Sequence, residues 1–168
     1  MRLGIISDTH GLLRPRVLRH LVDVDRILHA GDVGDADILT ELEALAPVTA
    51  VVGNTDTFPL VSRLAEEAHL TLEGPGGAGD YFRIGMLHGH LLDPLTPQAV
   101  ADAFPEAHLV IYGHTHRPLV EWVGRTLVLN PGSAGPRRFR LPATMALVEL
   151  TREGASPTLI PLDDASES

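Results

Sequence analysis

Apolar positions recur along the first third of this chain in two alternating rhythms. Short runs, Leu3-Gly4-Ile5-Ile6, Ile27-Leu28-His29-Ala30 and Val48 to Val52, have the length and branched content of buried strands. Between them, apolar residues fall at helical spacing: Val17, Leu18, Leu21 and Val22, then Ile38, Leu39, Leu42 and Leu45. Pro15 is placed to open the first helix, Asp35 or Asp37 to cap the second, and Pro47 to stop it. Strand, helix, strand, helix, strand predicts a parallel sheet with right-handed crossovers.

The rhythm then changes. Leu70-Thr71-Leu72 and Tyr81 to Leu87 read as strands joined through Gly74-Pro75-Gly76-Gly77-Ala78-Gly79, a hairpin connection that lacks the pattern of a phosphate cradle. Thr96 to Phe104 reads as a helix and Leu109 to Tyr112 as a buried strand. Leu119 to Val123 and Thr126 to Leu129 flank Gly124-Arg125 as a hairpin, followed by a turn at Asn130-Pro131-Gly132-Ser133. Ala143 to Leu150 and Thr158 to Leu162 make a last antiparallel pair. The expected fold is α/β, two facing sheets with helices outside, in one domain over residues 1–162. Residues 163–168 are expected to fray.

Composition narrows the class. The chain has 168 residues, 44% hydrophobic but only 4% aromatic, so aliphatic side chains must fill the core. No apolar run approaches the ~18 residues of a membrane span. The first strand runs straight from Met1 into polar Ser7-Asp8-Thr9-His10, unlike a signal peptide. There is no cysteine, which excludes disulfides and thiolate metal sites and fits a cytoplasmic setting. The net charge of −9 repels nucleic acid and anionic lipid at long range. Any attraction for a phosphate must therefore be local, and bound cations would supply it.

The candidate chemistry centres on Leu109 to His116, where an apolar run breaks at Gly113 and delivers His114 and His116 two apart. Alone this is a weak signal. It gains weight because other apolar runs end similarly: Asp8 and His10, Asp32, Asn54, and His88. Sites in open α/β sheets form beyond the carboxyl ends of the strands, where parallel strands deliver their loops together. Gly31, Gly53 and Gly113 each precede a candidate ligand, and a residue without Cβ admits a close approach there. Seven nitrogen and oxygen donors exceed the needs of one metal, whereas two metals about 3.5–4 Å apart sharing a carboxylate would use them all. With Asp8, Asp32 and a bridging hydroxide as the anionic ligands, two divalent cations leave a net positive site suited to a phosphate ester. The donor set suits Mn²⁺, Fe, Zn²⁺ or Ni²⁺ better than Ca²⁺.

Asp8-x-His10, Gly31-Asp32, Gly53-Asn54-x-Asp56, His88 and Gly113-His114-x-His116, in this order, resemble the calcineurin-like metallophosphoesterase superfamily. The short length, Gly53-Asn54-Thr55-Asp56, His88-Gly89-His90 and Asn130-Pro131-Gly132-Ser133 resemble its small bacterial and archaeal phosphodiesterases. The resemblance implies two mixed β-sheets sandwiched between helices, a four-layer sandwich. It also implies one metal held by Asp8, His10, Asp32 and His116, and another by Asp32, Asn54, His88 and His114, with Asp32 bridging. Two divalent ions, Mn²⁺ first among them, would then serve a hydrolase in which a metal-bridging hydroxide attacks phosphorus in line. Asp32 and Asn54 would be catalytic, Asn54 helping to stabilise charge on the phosphoryl oxygens.

One departure shapes the substrate reading. Many phosphoprotein phosphatases of this superfamily carry His after the Gly-Asn pair, placed to protonate the leaving group. Here Thr55 stands there, which favours diesters or activated esters over monoesters. His90 is a candidate donor in its place. Asp56 reads as a partner that orients a ligand, and His29 as a hydrogen-bonded core residue. His20, His69 and His108 read as surface positions. Arg137, Arg138 and Arg140 read first as solvated charge, with substrate phosphate as the second reading. The expected partner is a small phosphoester, with no membrane, nucleic acid only as substrate, and room for a homo-oligomer. The alternatives are a scaffold of the same fold, like the retromer subunit that resembles these enzymes, a nuclease, or a phosphomonoesterase.

Overall fold

The computed structural model describes residues 1–74, 76–138 and 140–163. Pro75 in the expected hairpin turn and residues 164–168 of the expected tail lie outside them.

Strands β1 (Arg2–Ile6), β2 (Arg26–His29) and β3 (Val48–Ala50) pair in parallel, with Ile5 opposite Leu28 and His29 opposite Ala50. Helices α1 (Pro15–Leu21) and α2 (Ala36–Glu43) make the crossovers. Pro15 opens α1, where its missing N–H costs nothing, and the Asp35 carboxylate accepts the Asp37 amide to cap α2. After the short helix α3 (Leu60–Arg63), strands β4 (Glu67–Glu73) and β5 (Tyr81–Leu87) form the expected hairpin. Helix α4 (Pro97–Ala103) starts where the Thr96 hydroxyl accepts the Ala99 amide. Strand β6 (Leu109–Ile111) and the hairpin of β7 (Leu119–Val123) and β8 (Thr126–Asn130) follow. Strands β9 (Thr144–Thr151) and β10 (Gly154–Pro161) close the fold.

Two five-stranded mixed sheets result, ordered β10-β9-β1-β2-β3 and β4-β5-β6-β8-β7. Period-two alternation sorts each central strand's side chains between two cores. Leu3, Ile5, Leu28, Met86, Ile111 and Leu129 meet between the sheets. Ile6, Ile27 and Met145 face α1 and α2 through Val17, Leu21, Ile38 and Leu42. On the far side, Val110, Tyr112 and Val128 pack on Val100 of α4 and on Phe104 just past its end. The layers run helix, sheet, sheet, helix, as the resemblance implied.

Three differences have local causes. Leu45, expected inward, lies past the end of α2 and is 37% exposed. Helix α3 is too short to show a period. Strand β10 begins at Gly154 and runs through Pro157, which an edge strand accommodates. Among the described residues no helix is long and apolar enough to cross a membrane.

Candidate metal centre

Strands β1, β2 and β3 are parallel, and so are β5, β6 and β8, so each sheet hands its loops to one end of the sandwich. Asp8 and His10 follow β1, Asp32 follows β2, Asn54 lies beyond β3, His88 follows β5, and His114 and His116 follow β6. All seven converge, in two groups. In one, His116 Nε2 lies 3.0 Å from Asp8 Oδ1 and 3.3 Å from His10 Nε2. In the other, Asn54 Oδ1 lies 3.2 Å from His88 Nε2 and 3.0 Å from His114 Nδ1. Asp32 Oδ2 stands between them, 3.8 Å from His10 Nε2 and 3.3 Å from His88 Nε2.

Neighbouring donors decide which atoms face inward. The Ser7 hydroxyl donates to Asp8 Oδ2 over 2.6 Å and the His114 amide donates to the same oxygen over 3.2 Å. Asp8 Oδ1 is left buried with no hydrogen-bond partner. The Thr55 amide donates to Asp32 Oδ1, 2.8 Å away, which leaves Oδ2 to the two groups. His88 Nδ1 donates to the Ala30 carbonyl at 2.8 Å, so the Nε2 lone pair points at Asp32 and Asn54. Carboxylate oxygens, an amide oxygen and imidazole lone pairs thus face one another with few protons among them. Acceptors so arranged, with Asp8, Asp32 and His88 buried among them, make a candidate cation site.

Burial depresses the pKa of His10 and His114 against the pull of Asp8 and Asp32. For Asp32, burial opposes ionisation, but the contact with His88 and the hydrogen bond from the Thr55 amide outweigh it and hold the carboxyl well below its usual range. Burial also opposes a charge on His88, yet the contact with Asp32 raises it. Both shifts favour the anionic form of Asp32.

The backbone is strained at these same residues. Asp8, His10, Asp32, His114 and His116 have φ of 56°, 46°, 53°, 67° and 57°, and among the described residues they are the non-glycines in the left-handed region. Such strain costs of order 1–3 kcal/mol per residue and persists where surrounding structure over-determines it. The preceding glycines make room. A Cβ on Gly53 would lie 2.1 Å from Asp32 Oδ1, and one on Gly113 2.1 Å from Ser7 Oγ and 2.8 Å from Asp8 Oδ2. At both positions the requirement is space, since neither has positive φ.

Asp56 ties two loops together, accepting the Gly34 amide on Oδ1 and the Gly53 amide on Oδ2, each at 2.8 Å. The His90 ring packs 5.5 Å from His88 and 6.4 Å from His114, beside the second group. His29 is buried, with Nε2 2.9 Å from Thr9 Oγ1 and Nδ1 accepting the Gly31 amide. His69 and His108 are exposed, and His20 is half-buried. Arg137 faces Asp163 at 3.7 Å, while the charge of Arg138 reaches His10.

Four supporting residues escaped the sequence reading. Thr55, noted there only as a missing acid, also brings its hydroxyl 3.3 Å from His10 Nδ1. Ser7 fixes Asp8. Asn130 Nδ2 donates to the Gly113 carbonyl at 2.8 Å, and the Ser133 hydroxyl donates to the Asp8 carbonyl at 2.9 Å. The Asn130-Pro131-Gly132-Ser133 turn was the available signal, because it sits at the end of a strand parallel to β6.

Residues 1–153 match the model of the calcineurin-like phosphoesterase superfamily domain. The chain is 36% identical to a probable metallophosphoesterase of Methanothermobacter thermautotrophicus over 92% of its own length and 94% of that protein. It is 30% identical to a phosphodiesterase of Methanocaldococcus jannaschii, covering 79% of this chain and 83% of that one. Among solved structures, a Vps29 variant from Entamoeba histolytica superposes with a TM-score of 0.75 at 24% identity, over 97% of this chain and all of that one. The family match over nearly the whole chain and the convergence of its seven donors agree: this protein belongs to the calcineurin-like phosphoesterase superfamily.

Proposed function

We propose that this protein is a dinuclear metal-dependent phosphodiesterase acting on small esters. Asp8, His10, Asp32 and His116 would hold one divalent cation and Asp32, Asn54, His88 and His114 the other, with Asp32 common to both sets. The observation that carries this reading is Asp32 Oδ2, placed within 4 Å of an imidazole nitrogen of each group. Mn²⁺ fits the nitrogen and oxygen donors, and zinc, nickel and iron remain compatible. Two such cations supply positive charge that activates water and stabilises charge developing on the phosphoryl oxygens.

The chain's own residues do the rest. Asn54 turns its Oδ1 toward His88 and His114, which leaves its exposed amide N–H groups to donate to a phosphoryl oxygen. Thr55 holds Asp32 and His10 in place but supplies no acid at neutral pH. An ester whose leaving group needs no proton is accordingly the better substrate. The relative named a phosphodiesterase supports the same class.

Metal analysis and hydrolysis of bis-p-nitrophenyl phosphate test the proposal together. Two Mn²⁺ per chain and turnover that is lost to a chelator and restored by Mn²⁺ are expected. A protein that binds no Mn²⁺ and gains no turnover from it is instead a scaffold, the reading that the shared fold with Vps29 favours.

A further inference from the structure

The two sides of the candidate metal centre carry opposite charge. Beside the second group, Glu66 Oε2 lies 3.8 Å from His90 Nε2, and the His90 ring packs 5.5 Å from His88. Beside the first group stands Arg138, whose positive charge acts on His10. The loop that carries Arg138 is fixed to the backbone of that group. The Ala134 amide donates to the Ser7 carbonyl and the Ser133 hydroxyl to the Asp8 carbonyl, each at 2.9 Å. Gly135 then crosses so close that a Cβ on it would lie 2.2 Å from the Thr9 carbonyl oxygen. Arg14 Nε donates to the Gly135 carbonyl at 3.0 Å, and the Leu141 amide closes a turn on the Arg138 carbonyl at 3.1 Å. Arg137 faces Asp163 at 3.7 Å, whereas Arg138 is exposed and makes no ion pair among the described residues.

Resting on the phosphodiesterase reading, we propose that Arg138 binds a second oxyanion, a phosphate or carboxylate on one arm of the ester, and so selects anionic diesters. A guanidinium presents a planar fork of N–H donors that matches either group. In that reading the scissile phosphoryl group is already served by the two cations and Asn54, which leaves Arg138 for a group further out. The net charge of −9 repels such a substrate at long range, so an unpaired cation beside the centre supplies attraction where the chain otherwise lacks it. Glu66 on the opposite side repels the same anion. Together the two charges orient the ester, with its anionic arm over the first group. Solvated surface charge is the competing account of an exposed arginine, and it gives this side chain no part in selectivity.

Diesters that share the p-nitrophenolate leaving group test this on the Mn²⁺-loaded protein, the second arm being carboxyethyl, propyl or choline. The carboxyethyl ester is expected to have the lowest KM, an advantage that shrinks as ionic strength rises. Arg138→Gln is expected to raise its KM ~10-fold relative to the propyl ester, with kcat little changed. Arg138→Lys is expected to keep part of the preference, as the charge remains without the fork. If Arg138→Gln shifts both esters equally, or neither, the arginine does not read the arm and the inference falls. If the choline ester is preferred, the arm is cationic and the inference falls again. Calorimetric binding of phosphonopropionate against propylphosphonate repeats the comparison without turnover. Arg138-dependent discrimination there, in a protein that hydrolyses none of the esters, would uphold the anion site while sinking the phosphodiesterase reading.

Discussion

The Thr55 amide holds Asp32 by Oδ1 at 2.8 Å and so turns Oδ2 into the gap between two sets of imidazoles. A residue that lacks the acid chemistry of its counterpart in related phosphatases thus orients the one carboxylate common to both halves of the site.

Asp32→Asn should keep the Thr55 contact through its amide oxygen and set an NH₂ group where a shared anionic oxygen stood. An amide nitrogen cannot ligate two cations. Manganese content measured by mass spectrometry should fall below two per chain. Turnover of bis-p-nitrophenyl phosphate should drop by more than the ~10–100-fold that accompanies loss of an outer hydrogen-bond partner. His20→Ala, a change away from the site, should leave both unaltered. Normal turnover of Asp32→Asn at saturating metal would remove Asp32 from the bridging role.

Asp56 touches no other candidate ligand through its carboxylate, yet it secures the Gly34 and Gly53 amides. Asp56→Ala should weaken metal binding ~10–100-fold in a calorimetric titration and leave the number of sites at two. Loss of one whole site would mean that Asp56 is itself a ligand.

Gly53→Ala places a methyl group where Asp32 Oδ1 now lies, 2.1 Å from the new carbon. The backbone there is ordinary, so the effect is steric. Denaturant unfolding should show ~1–3 kcal/mol of destabilisation, typical of overpacking, together with loss of manganese binding. Full activity in this variant would show that Asp32 can move aside, against the geometry described.

Burial pushes the His29 pKa down from 6.5 to about 4. Above pH 6.5 the imidazole is neutral in both folded and unfolded chains. Between pH 6.5 and 4 the unfolded chain binds the proton and the folded one refuses it, so stability falls as the pH drops, by up to ~1.4 kcal/mol per unit. Unfolding of metal-free protein from about pH 7 to pH 5 should show a steeper loss for the wild type than for His29→Gln. Equal slopes would mean that His29 is protonated in the folded chain.

Much of this protein was legible in its residues. Periodicity located nearly every strand, because alternation and branching report which faces are buried before any packing is known. The ligands were readable for a related reason: each lies within a few residues of the end of an apolar run, and parallel strands carry those ends to one side. The antiparallel pairing within the final hairpin was readable, but its docking onto β1 was not. Nothing in Thr144 to Thr151 states that it lies antiparallel to β1, since partners so distant in sequence are selected by the packing of whole sheets.

The sequence alone determined the donor types, their order, and the need for glycine at positions 53 and 113. Only the tertiary structure decided which oxygen of Asp8 and Asp32 turns inward, because that depends on donors from Ser7, Thr55 and the His114 amide arriving from separate loops. It likewise decided the left-handed backbone of five donors, a conformation that non-glycine residues do not favour by themselves. Local preference is worth less there than the many contacts that converge on those loops from both sheets.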